Sequence, residues 1–75
     1  MSQIFIGQLI ESELRNQERS VVWLARKLNC NRTNIYKIFN RTSIDTDLLL
    51  KISKILNRNF FEPYAREIGG EAGGR

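Results

Sequence analysis

No histidine occurs in this chain, and cysteine and proline occur once each. Without histidine the commonest general base and the usual zinc ligand sets are gone, and the single Cys30 cannot close an internal disulfide. There is also no Gly-rich phosphate loop and no cysteine paired with a base. Catalysis would have to rest on scattered carboxylates, so no enzymatic activity, no metal and no cofactor is expected. No apolar run approaches the roughly 20 residues needed to cross a bilayer, and no charged and then apolar leader opens the chain. No membrane association is expected, and a reducing, cytoplasmic setting suits Cys30. Glycine is scarce until the end. Four of the five glycines fall in the last seven residues, "GGEAGGR", which read as a flexible tail over 69–75 behind one domain over 1–68.

What is present is ordinary in amount and unusual in placement. The 75 residues, 41% hydrophobic and 27% charged, suffice for one small core. From Arg19 to Arg41 there are six cations and no Asp or Glu, so that segment carries +6 and the rest sums to −2 within a total of +4. A basic stretch kept free of carboxylates is the electrostatic footprint of a surface that meets a polyanion, although a charged run also serves simply as a solvated face.

The apolar spacing is helical throughout. In residues 4–18, Ile6, Ile10 and Leu14 stand four apart with Leu9 beside them, which predicts an amphipathic helix. Ser20 can cap a second helix with Val21, Leu24, Ala25 and Leu28 inward. Asn29 can stop it, because Asn enters the left-handed conformation at low cost. Asn31 can cap a third helix with Ile35, Ile38 and Phe39 on one side. After a loop, Asp45 or Thr46 caps a fourth helix whose inward residues are Leu49, Ile52 and Leu56. Asp47 favours its dipole and Asn57 ends it. A short fifth helix follows, capped by Asn59 with Pro63 in its first turn, and Phe60 and Phe61 close the core. The reading is an all-α bundle of about five short helices with no strand.

The second and third helices carry the chemistry. A tight αα corner needs a small residue where the helices cross, a turn residue tolerant of positive φ, and apolar residues pointing back inward. Ala25, Asn29, and Ile35 with Ile38 supply these in order. With the third helix's apolar side inward, its other arc holds Thr33, Tyr36, Lys37 and Asn40, flanked by Arg32, Asn34 and Arg41. Every one of these side chains can hydrogen-bond.

The spacing from Val21 through Ala25, Asn29, Ile35 and Ile38 resembles the helix-turn-helix of the phage-repressor-like XRE/Cro family, with Asn29 where that family usually has Gly. The resemblance spans about residues 6–61, since "LLLKISKIL" looks like the family's fourth helix. It implies a lambda-repressor-like bundle that binds double-stranded DNA as a transcriptional regulator, a repressor by occlusion or a factor acting by recruitment, of bacterial or phage origin and associated with the nucleoid when bound. It also implies that Arg32, Thr33 and Lys37 read bases in the major groove, with Tyr36 either joining them or covering the edge of the core. Asn34, Asn40, Arg41 and Thr42 would hold phosphates and set register.

The sequence departs from that family in three places. Val21 stands where a phosphate-contacting Gln is common, Trp23 where a charged residue is usual, and Phe39 where a Glu often pairs with an Arg of the first helix. An apolar contact is expected in place of that ion pair. Trp23 is open to two readings, packing against a neighbouring helix or forming an interface. Cys30 is read as a small turn residue. The competing function is a helical protein-interaction module, with Trp23, Leu48, Leu50, Phe60 and Phe61 as an apolar patch, or the DNA-binding antitoxin of a toxin–antitoxin pair. A homodimer is compatible with either, and the partners that follow are DNA, a second copy, or a toxin or other protein.

Overall fold

The computed structural model describes residues 4–72. Five helices make up this part, α1 (Ile6–Asn16), α2 (Val21–Leu28), α3 (Arg32–Phe39), α4 (Thr46–Leu56) and α5 (Glu62–Ala72), with no strand among the described residues. The fold is all-α.

Three helix starts use a side chain as cap. Ser20 Oγ accepts from the Trp23 amide at 3.0 Å, Asn31 Oδ1 from the Asn34 amide at 3.3 Å, and Asp45 Oδ1 from the Leu48 amide at 2.7 Å. Each satisfies one of the amides that a helix leaves without a partner in its first turn. Of the two candidate caps for α4, the structure uses Asp45. Helix ends are also local. Asn29 and Asn57 adopt left-handed φ values of 59° and 53°, and the residue after each returns its amide to a carbonyl five positions back, Cys30 to Ala25 at 2.9 Å and Arg58 to Ser53 at 3.0 Å. Glu18, with φ 57°, ends α1 in the same way as Arg19 bonds back to Leu14. α1 therefore stops at Asn16, short of the sequence expectation of residue 18.

α1 begins differently. Phe5 precedes it and offers no capping side chain. Its first amides go instead to the chain that leaves α3, Gly7 to the Arg41 carbonyl at 2.9 Å and Ile6 to the Thr42 carbonyl at 3.4 Å, while Gln8 Nε2 donates to the Phe39 carbonyl at 3.1 Å. The positive end of one helix thus meets the negative end of another. Gly7 makes the approach possible, since a Cβ there would collide with the carbonyl oxygens of Ile38 and Phe39.

The core is formed by Ile6, Ile10 and Leu14 of α1, Leu24 and Ala25 of α2, Ile35, Ile38 and Phe39 of α3, Leu49, Ile52 and Leu56 of α4, and Phe60. No polar side chain is buried among the described residues. Val21 and Leu28, expected inside, are half-buried at its margin, as is Phe61. α2 packs on α3 and α4, and α1 packs on α3.

α5 differs from the expectation in both bounds. Asn59 makes a turn before the helix, its Oδ1 accepting from the Phe61 amide at 3.0 Å, and the helix proper starts at Glu62. Pro63 is in the first turn, as its missing N–H requires. The helical backbone then continues through Gly69 and Gly70 to Ala72, so the first four residues of the supposed tail over 69–75 are helical. Residues 73–75 lie outside the described residues.

Candidate nucleic-acid interface

α3 separates two chemistries along eight residues. Ile35, Ile38 and Phe39 are buried, whereas Arg32, Thr33, Asn34, Tyr36 and Lys37 are exposed. The flank that follows, Asn40, Arg41 and Thr42, is exposed as well. The structural residues expected at the corner fall into place: Ala25 is buried in α2, Asn29 forms the left-handed turn, and Ile35 and Ile38 point into the core. Cys30 follows Asn29 as a half-buried turn residue with a free thiol.

The backbone fixes this arc on both sides. Asn31 anchors its start through the bond to the Asn34 amide. At its end, Asn40 is the C-cap, returning its amide to the Lys37 carbonyl at 3.2 Å, and the carbonyls of Arg41 and Thr42 hold the start of α1. Arg41 and Thr42 therefore tie down the scaffold with their backbones while leaving their side chains in solvent. Tyr36 covers the edge of the core and still faces solvent. Its ring meets Phe39 edge-on, with centroids 6.3 Å apart and planes at 80°, yet the residue remains 51% exposed.

The electrostatics follow from where the carboxylates are engaged. Glu11 pairs with Arg15, Glu13 with Arg58 and Glu62 with Arg66, and Asp45 is the cap of α4. Among the described residues, Arg26, Lys27, Arg32, Lys37 and Arg41 form no ion pair. The segregation seen in the sequence thus survives folding as an exposed arc with uncompensated positive charge. Such a surface attracts a polyanion and releases counterions when one binds.

Phe39 packs into the core, the apolar contact expected in place of a Glu–Arg pair. Glu13 of α1 has an ionic partner elsewhere, Arg58, at 2.6 Å. Gln17 joins it, donating to Glu13 Oε2 at 2.8 Å and to the Leu56 carbonyl at 2.7 Å, so the end of α1 is tied to the end of α4. The Gln17 hydrogen bond, and after it the Arg58 guanidinium, hold the Glu13 carboxyl below its ordinary value, against the opposing effect of burial.

Trp23 is half-buried against the core and carries cations over its ring, Arg19 at 4.5 Å and Lys27 at 5.8 Å from the centroid. It packs, and it holds two members of the basic segment at one place on α2. The apolar patch expected for an interaction module is reduced, since Phe60 is buried and Leu48, Trp23 and Phe61 are half-buried, leaving Leu50 as its one exposed member at 45%.

Lys51 of α4 escaped the sequence reading. It lies with Lys37 and Arg41 around an open groove of about 350 Å3 between α3 and α4. Helical periodicity marks Lys51 as outward but does not say which helix it faces across solvent. No helix among the described residues is long and apolar enough to cross a membrane. Comparison with protein-family models, with curated proteins and with solved structures finds no match to this chain.

Proposed function

We propose that this protein is a sequence-specific double-stranded DNA-binding transcriptional regulator that inserts α3 into the major groove, acting in its simplest form as a repressor by occlusion. One observation carries the reading: a capped helix with a buried inner face presents an uninterrupted hydrogen-bonding and cationic outer face, with no carboxylate on it and no ion pair among the described residues. A helix of this kind fits the major groove of B-DNA, and its N-terminal half reaches the base edges.

Arg32 and Lys37 suit the paired acceptors of guanine, and the Thr33 methyl suits the thymine methyl, with Tyr36 beside them. Asn34, Asn40, Arg41 and Thr42 contact phosphates at the two edges and set the register. A single small module makes few contacts, so two copies on paired half-sites are the expected bound form, with the chain working in the cytoplasm on the nucleoid.

Selection of bound duplexes from a random pool tests this directly. Enrichment of two related half-sites about one helical turn apart is the expected outcome. Recovery of duplexes with no common sequence would overturn specific reading, and recovery of none would favour the interaction-module alternative.

A further inference from the structure

Behind the duplex-facing arc, the groove between α3 and α4 has a chemistry of its own. Leu28, Cys30, Ile38, Ile44 and Leu48 form an apolar floor, and all belong to the core or pack against it. Lys37, Arg41 and Lys51 stand at the rim, with the polar Asn34 beside them. None of the three cations forms an ion pair among the described residues, and no carboxylate lines the groove.

These two properties together narrow the occupant. A cation-only rim disfavours bound cations, while a phosphodiester backbone gains nothing from an apolar floor. The volume, about 350 Å3, lies at the small end of ordinary ligand sites, which combine mostly apolar walls with a few placed polar groups. We infer that this groove binds a small amphiphilic anion, a carboxylate on a hydrocarbon body, with the hydrocarbon on the Leu28–Ile44–Leu48 floor and the carboxylate among Lys37, Arg41 and Lys51. The Arg41 guanidinium can donate to both carboxylate oxygens at once, and Lys51 adds a point charge.

The site also has a regulatory consequence, and this part rests on the proposed function. Lys37 and Arg41 belong to the proposed duplex contact, so an anion between them removes positive charge from the surface that faces phosphate. Ligand and duplex then compete for the same two side chains, and each lowers the affinity of the other by the same factor.

Decanoate serves as the probe, followed by nuclear magnetic resonance of the full chain. Shifts concentrated at Leu28, Ile38, Ile44, Leu48 and Lys51 and saturating below about 1 mM are expected. Decanol, which lacks the charge, should bind at least about tenfold more weakly. Lys51→Glu should weaken decanoate by about tenfold, while Lys54→Glu, which makes the same change of charge off this groove, should alter it by less than about twofold. Shifts scattered over the surface, a titration that does not saturate, equal binding of decanol, or equal loss in both variants would overturn the site.

A second arm uses a labelled random-sequence duplex pool. Decanoate at about three times its wild-type dissociation constant should lower duplex affinity of the wild type by about threefold or more and that of Lys51→Glu by less than about 1.5-fold. Unchanged wild-type affinity would overturn the competition. A wild type that binds no duplex even without decanoate would overturn the DNA reading and the competition together, while the titration decides the site alone.

Discussion

The two faces of α3 are built under different constraints. Its inner face is determined many times over: Ile35, Ile38 and Phe39 meet α1, α2 and the rest of the core, the Phe39 carbonyl accepts from Gln8, and the Arg41 carbonyl just past the helix accepts from the Gly7 amide, each from more than thirty residues away. Its outer face has few partners among the described residues. Arg32, Thr33 and Lys37 make no side-chain bond among the described residues, and Tyr36 only leans on Phe39. The contrast teaches that the outer residues are not there for folding. Their identity is free to answer to a partner.

The comparison breaks most visibly on the inner face. Ile35 is fully buried, so Ile35→Ala should cost about 2–5 kcal/mol of stability in urea unfolding, much of a small domain's reserve. A loss under about 1 kcal/mol would mean that the inner face is less tightly specified than its burial indicates. Gly7→Ala follows. Its added Cβ meets backbone carbonyls, which cannot swing aside as a flexible side chain would, and a loss of about 1–3 kcal/mol is expected from thermal or urea unfolding.

The outer face should behave in the opposite way. Lys37→Ala should leave stability within about 0.5 kcal/mol while lowering discrimination at particular base pairs by about 1–3 kcal/mol in competition binding. Destabilisation of the size seen for Gly7→Ala would place Lys37 in the scaffold and erase the distinction between the faces.

The smallest effect concerns pH. The native Glu13 carboxyl titrates below its ordinary value of 4.5 because Gln17 and Arg58 favour its ionised form. That contribution is complete above the ordinary value and is lost as pH falls through the lower native one. Urea midpoints should therefore fall on acidification by more for the wild type than for Glu13→Gln. Equal falls would assign the acid sensitivity to other carboxylates.

Local features were legible in the sequence. Ser20, Asn31 and Asp45 at helix starts and Asn29 and Asn57 at helix ends act within five residues of themselves, and the inward positions of α3 and α4 follow from spacing alone. Long-range features were not legible. Nothing near Gly7 announces that α1 starts on the carbonyls of Arg41 and Thr42, and nothing near Glu13 announces Arg58, because those partners meet only once the helices are packed. Glu18 was missed for a different reason: glutamate has no special tolerance for positive φ, so its left-handed turn was hidden within an apparently continuous helix. The extension of α5 ran against the low helix propensity of Gly69 and Gly70. For the candidate site, the exposure of the α3 arc was legible from periodicity, whereas Lys51 across the groove depended on how α4 packs.

The most direct measurement is the affinity of the full chain for duplex DNA as salt is raised from about 50 to 200 mM, for the wild type and for Arg41→Ala. The account predicts a steep linear fall of log affinity with log salt, and a slope shallower by about 1 in the variant, with all sequences weakened alike. A flat line for the wild type would contradict it.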